Sequence, residues 1–243
     1  SIIAALAGFL FGFDTVVISG ADQQLQTLWN TTDLFHGTFI MSMALWGTVF
    51  GAIFASYPSD YFGRKNTLVI IGFLYLISAL GSGLATNPYM FSFFRFIGGI
   101  GVGVSTVAAP TYVSEIAPSS QRGKMVALYQ FNIVLGILMA FVSNYFFRNF
   151  GNEPWRWMLG IEALPSILYL IGVWTIPQSP RWLIIKKNKV KEAQKIFFDI
   201  TKSDIPKIML NKLISEQNDV HNQNLFIKKF SLPILLAFLF ALF

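Results

Sequence analysis

The 243-residue sequence contains no cysteine and only two histidines. The first absence excludes disulfides and thiolate metal sites, and with so few imidazoles no metal cluster is expected. Charge is also scarce: Asp, Glu, Lys and Arg make up 12% of the chain, about half the roughly 25% usual in soluble domains. No nucleophile with a companion base and no phosphate-cradling loop is present in the pattern, so neither an enzyme nor a bound cofactor is expected. A net charge of +6 would suit nucleic acid, but its distribution along the chain points to a membrane instead.

Apolar residues reach 54%, with 25 Phe, and the mean hydropathy is +0.56. A bilayer core of about 30 Å needs roughly 20 helical residues. Runs of that length fall at 1–21, 35–57, 67–85, 89–113, 125–147 and 155–176. A seventh apolar run opens at Leu232 and the sequence stops at Phe243, too short to cross. The reading is therefore an all-α membrane protein in three parts: a six-helix bundle over 1–176, amphipathic linker helices over 177–231, and the start of a seventh span over 232–243. Ser1 opens directly on apolar sequence without Met or a basic stretch, so no cleavable leader is read and the natural start is expected upstream.

Fifteen of the eighteen Lys and Arg follow spans two, four and six. Arg148 and Arg156 lie in the link between spans five and six, and Arg95 lies inside span four. The positive-inside rule then places the N-terminus and the linker in the cytoplasm of a multi-pass protein of the plasma or inner membrane. The linker sets Lys186, Lys187, Lys189, Lys191 and Lys195 among Leu183, Ile184, Ile185, Ile196 and Phe197. That spacing suits short helices lying at the membrane surface, or a solvated connector between two bundles.

Three ionisable residues, Asp14, Arg95 and Glu162, sit well inside spans. An Asp near the middle of a helix costs about 2.5 to 3.5 kcal/mol on insertion scales, and by default such a group faces a partner or a wet cavity. Each of the three stands seven residues from the outer end of its span, which is roughly 10 Å of depth. One cation and two carboxylates at one level form a candidate network, either a proton-handling site or a permanent structural triad. Gly98, Gly99, Gly101 and Gly103 of span four lack the strand and soluble helix of a dinucleotide loop, and small residues for close helix contact are the better account.

The loop Ser59-Asp60-Tyr61-Phe62-Gly63-Arg64-Lys65 resembles the signature loop of the major facilitator superfamily. Asp60, Gly63, Arg64 and Lys65 match it, while Ser56 and Tyr61 depart from it. Further motifs follow in order: Gly12-Phe13-Asp14 with Ile18-Ser19-Gly20, Arg95-Phe96 with Gly99, Gly101 and Gly103, Pro110-x-Tyr112-x-x-Glu115-x-x-Pro118, Arg122-Gly123 with Gln130, Trp155-Arg156-Trp157, and Pro177-x-Ser179-Pro180-Arg181-Trp182. Together they are similar to the sugar porter family, and the sequence resembles the N-terminal half of its bacterial proton-coupled xylose and hexose symporters.

That resemblance implies two six-helix bundles of inverted three-helix repeats rocking about a midplane sugar site, with the C-terminal half lying beyond this sequence. It implies Asp14 as proton carrier with Arg95 and Glu162 as partners, and Gln130 and Phe11 as sugar contacts. By residue type alone, Gln130 could equally make an interhelical hydrogen bond. The resemblance further implies a cytoplasmic gate of Asp60, Arg64, Glu115, Arg122 and Arg181, loosened where Gln178 replaces the usual Glu. The expected partners are a monosaccharide, protons, lipid and the second bundle. A sugar sensor on a transporter scaffold, a facilitative uniporter and a dimerising half-transporter are the alternatives.

Overall fold

The computed structural model describes residues 2–118, 121–201, 205–206, 210–211 and 213–215. The expected start of a seventh span, 232–243, and the last part of the expected linker lie outside them. The chain divides into two units, Ser1–Trp182 and Leu183–Phe243.

Every regular element among the described residues of the first unit is a helix. Its elements are α1 (Ile2–Val17), α2 (Asp22–Trp29), α3 (Asp33–Phe35), α4 (Met43–Phe54), α5 (Ser56–Tyr61), α6 (Arg64–Gly83), α7 (Pro88–Ile116), α8 (Arg122–Phe147), α9 (Pro154–Gly160), α10 (Ala163–Thr175) and the beginning of α11 (Pro180–Lys187). Among the described residues, six stretches are long and apolar enough to cross a membrane: Ile3–Gly20, Asp33–Phe54, Arg64–Gly83, Pro88–Ile116, Arg122–Phe147 and Pro154–Thr175. They correspond to the six runs read from the sequence, with their ends displaced by a few residues. The outer link read between the first two spans is itself helical as α2, which ends where Asn30 takes the left-handed conformation at φ 45°.

Span six is broken. Helix α9 stops at Gly160 and α10 begins at Ala163, with Ile161 and Glu162 between them. The cause is Pro165, which has no N–H to offer the carbonyl of Ile161 four residues earlier and crowds it. That carbonyl accepts from the nearer Leu164 N–H at 3.1 Å instead.

Helix α7 is the axis of the unit, packing against α4, α6 and α1, while α1 also packs along α8, and α6 along α10 and α9. Two seams are set by glycine. At Gly99 a Cβ would meet the Ala44 carbonyl, and at Gly12 it would meet the Ile133 carbonyl, so in each seam one backbone lies directly on the next. This is the close approach that small residues permit between spanning helices. The spans with most apolar surface outward are α4, with Trp46, Phe50 and Phe54, and α8, with Phe131, Leu138 and Phe141.

Helix ends are closed by named groups. Asn87 accepts from Met90 N at 2.8 Å and Pro88 opens α7, an arrangement that satisfies one exposed donor and presets the first turn. Arg156 donates to the carbonyls of Gly83 and Ala85 at 2.9 and 2.8 Å, closing α6. Asn144 of α8 donates to the Val17 carbonyl at 3.0 Å, at the end of α1.

In the second unit α11 ends at Asn188, which takes φ 54°, with Lys189 N bonded to the Leu183 carbonyl at 2.9 Å. Helix α12 (Val190–Thr201) follows. Val190, Ala193, Ile196, Phe197 and Ile200 recur at helical spacing opposite Lys191 and Lys195, the pattern of an amphipathic surface helix.

Candidate functional site

The three ionisable residues read well inside the spans come together. Arg95 Nη1 donates to Asp14 Oδ1 at 2.6 Å, and Arg95 Nη2 donates to the Asp14 backbone carbonyl at 2.9 Å. Both side chains are 1% exposed. Glu162 is completely buried and lies within hydrogen-bonding reach of Asp14. Its position follows from the break in span six: Glu162 is the residue from which α10 departs. Gly98 leaves room on α7 at this level, since a Cβ there would run into Ser78 and stand 3.4 Å from Asp14 Oδ1.

The network is incompletely satisfied. Asp14 Oδ2, both Glu162 carboxylate oxygens and Arg95 Nε have no protein hydrogen-bond partner. Two carboxylates facing one guanidinium leave one negative charge over, and a proton held between them would both remove it and donate the missing hydrogen bond.

Phe11 and Gln130 are also brought together. They line one cleft of about 460 Å³ with Thr106, Pro110, Val113, Val126, Tyr129 and Ile133. Pro110 lies inside α7 and offers no N–H to the Thr106 carbonyl four residues earlier. The cleft therefore has mainly apolar walls and a few polar groups, the usual make-up of a small-molecule site.

At the other end of the unit, Arg64 Nε donates to the two Glu115 oxygens at 3.2 and 3.0 Å, and its Nη1 donates to Asp60 Oδ1 and the Ser59 carbonyl at 3.0 and 3.1 Å. Gly63 holds φ +88°, and a Cβ on it would strike the Trp182 ring. The indole Nε1 of that ring donates to the Asp60 carbonyl at 2.8 Å. Arg122 donates to the Ala117 carbonyl at 3.4 Å, and Arg181 stands next to Trp182 on the exposed face of α11. Gln178 keeps a use without charge, accepting from Lys65 N at 3.3 Å.

The residue-type reading did not single out Tyr129, although it precedes Gln130 and shares the cleft. It also passed over Tyr75 and Tyr169, whose hydroxyls lie in the interior. An aromatic among many aromatics in an apolar helix gives no sign that its polar end matters.

The sequence profile described as Sugar (and other) transporter matches residues 1–243. The chain is 40% identical over 215 residues to a glucose transport protein of Synechocystis, covering 84% of this chain and 46% of the relative. It is 34% identical over 247 residues to the D-xylose-proton symporter of Escherichia coli, covering 89% and 48%. The structure of the major facilitator proton:xylose symporter XylE bound to 6-bromo-6-deoxy-D-glucose superimposes with a TM-score of 0.79 at 32% identity, covering 89% of this chain and 51% of that one. The chain thus spans about half the length of the relatives it matches, and these are transporters, not enzymes. With a profile match along its whole length, relatives at this identity and the six-helix fold of the N-terminal half, the chain belongs to the sugar transporter family of the major facilitator superfamily.

Proposed function

We propose that this chain is the N-terminal half of a proton-coupled monosaccharide transporter working by alternating access. The observation that carries the reading is the sealed Arg95–Asp14 pair with Glu162 beside it and three carboxylate oxygens unpartnered. A fixed structural bridge would be served better by one carboxylate per guanidinium. The surplus carboxylate gives the site a place to take up and release one proton while the arginine changes partner.

In this reading Asp14 is the proton carrier and Arg95 and Glu162 its exchanging partners. Phe11 packs on the sugar, and Gln130 offers it a donor and an acceptor. Asp60, Arg64, Glu115, Arg122 and Arg181 steady the cytoplasmic side of the bundle, and the N-terminus and linker lie in the cytoplasm. A C-terminal six-helix bundle supplies the opposite wall of the sugar site, packed on the apolar faces of the least buried spans, α4 and α8.

The complete transporter in proteoliposomes tests this. Asp14→Asn abolishes uphill accumulation driven by a proton gradient and permits sugar exchange. Undiminished uphill accumulation overturns the proton assignment.

A further inference from the structure

A groove of about 620 Å³ runs between the end of α6 and the broken sixth span, α9 and α10. Its walls are apolar, formed chiefly by Leu80, Leu84, Leu164, Ile167 and Leu168, all of them exposed. Arg156 and Trp157 line the same groove at the end where α9 begins. The break in the span helps to open it. At Gly160, where α9 stops, a Cβ would meet no neighbouring atom within 4 Å.

Arg156 is more than a cap for α6. Its guanidinium lies 4.3 Å over the Trp155 ring, and its Nε donates to Glu153 Oε2 at 2.8 Å. Nη1 carries the whole cap, donating to the carbonyls of Gly83 and Ala85. Nη2 has no hydrogen-bond partner among the described residues. The arginine side chain is 27% exposed, so a cation fixed by a ring, a carboxylate and two carbonyls still offers one nitrogen beside an apolar channel.

The dimensions suit a lipid. From Arg156 to Leu168 the span advances by about 18 Å at the helical rise, close to one leaflet, roughly half of a 30 Å core. Trp157, exposed and packed on Phe147 and Phe150, stands at the arginine's end, and tryptophan favours the level of the lipid head groups. Neither α4 nor α8, whose faces are assigned above to the second bundle, lines the groove. In a bilayer its neighbour is lipid.

We propose that this groove binds one glycerophospholipid, with its phosphate on Arg156 Nη2 and one acyl chain along Leu164, Ile167 and Leu168. A guanidinium N–H and a phosphate oxygen make a charge-assisted hydrogen bond, and arginine is the side chain suited to it. Glu153 shares the cation, so the head group is held by that directed bond more than by net charge. The site goes beyond the transport reading and needs no proton on Asp14.

The test takes the complete transporter in a maltoside detergent with phosphatidylglycerol bearing a diazirine in one acyl chain, and maps the crosslinked residues by mass spectrometry. Label concentrates on Leu164, Ile167 and Leu168. A diacylglycerol with the same diazirine and no phosphate labels them less by about tenfold, the factor that one charge-assisted hydrogen bond supplies. Arg156→Gln lowers phosphatidylglycerol labelling to the diacylglycerol level. Gly160→Leu, whose side chain enters the open groove, removes the label with Arg156 intact and keeps the test open should Arg156→Gln fold poorly. Equal labelling by the two lipids overturns the phosphate contact, and undiminished labelling of Gly160→Leu overturns the groove. Label spread evenly onto the exposed Ile171 and Trp174 farther along α10 shows unspecific boundary lipid only and overturns the site. Crosslinking requires no transport, so failure of the proton reading leaves this result as it stands.

Discussion

The bundle contains the same chemical trio twice, one arginine with two carboxylates, and the two differ in almost everything else. Arg95 with Asp14 and Glu162 is sealed, its ion pair 1% exposed on both sides. Arg64 with Glu115 and Asp60 is graded, with side-chain exposures of 14, 6 and 50%. In the second trio every carboxylate has a donor, and Nη1 of the guanidinium also donates to the Ser59 carbonyl. In the first, three carboxylate oxygens have none. The second trio, with a donor on each carboxylate, suits a latch. The unsatisfied one suits a group that must change its protonation, because leaving both arrangements nearly equal in energy requires that neither be complete.

The contrast can be broken at its strongest point. Arg95→Leu strips a sealed carboxylate of its cation and lowers unfolding stability by about 3–5 kcal/mol, the cost of orphaning one member of a buried pair. Thermal unfolding of the purified transporter reads it, and a midpoint equal to that of the parent would show the sealed pair to be dispensable.

Glu115→Ala comes next, losing the charge-assisted bonds from Arg64, about 1.5–3 kcal/mol. If the latch acts as proposed, part of that loss appears as greater labelling of a cysteine placed in the Gln130 cleft by a cytoplasmic-side reagent. The residues of this half add no cysteine of their own to the background.

Asp60→Ala marks the small end, about 0.3–0.5 kcal/mol for an exposed i,i+4 pair. Its effect vanishes in 1 M salt, where the screening length is about 3 Å. The effect of Arg95→Leu is the same in low and high salt, because no mobile ion reaches a group buried to that degree. Parallel melts across a salt series separate the two trios, and equal salt sensitivity would remove the distinction between them.

The six spans were open to reading because hydropathy over some twenty residues is a strong signal that needs no tertiary knowledge. The meeting of Asp14, Arg95 and Glu162 was open to a simpler argument, depth along each helix. Depth names a layer, however, and not an azimuth, so the 2.6 Å contact between Arg95 and Asp14 could not be distinguished from three charges around one circumference.

The break at Ile161–Glu162 had a visible cause in Pro165, yet the run 155–176 was read as one helix because its composition is uniformly apolar. Helix α2 was passed over because Gln and Asp dominate it and no apolar stripe of spanning length announces it. The partnership of Arg64 with Glu115 crosses 51 residues of chain. Only the close packing of α6 against α7 sets it.

The separation of Asp14 from its cation has a consequence in time. Arg95 follows Asp14 by 81 residues, and a ribosome adding about 5–20 residues per second delivers it roughly four to sixteen seconds later. Throughout that interval the first span has no Arg95 to pair with its carboxylate, and Glu162, in the sixth span, emerges later still. The span that carries Asp14 therefore waits for partners not yet made, and its insertion is the least supported while they are missing.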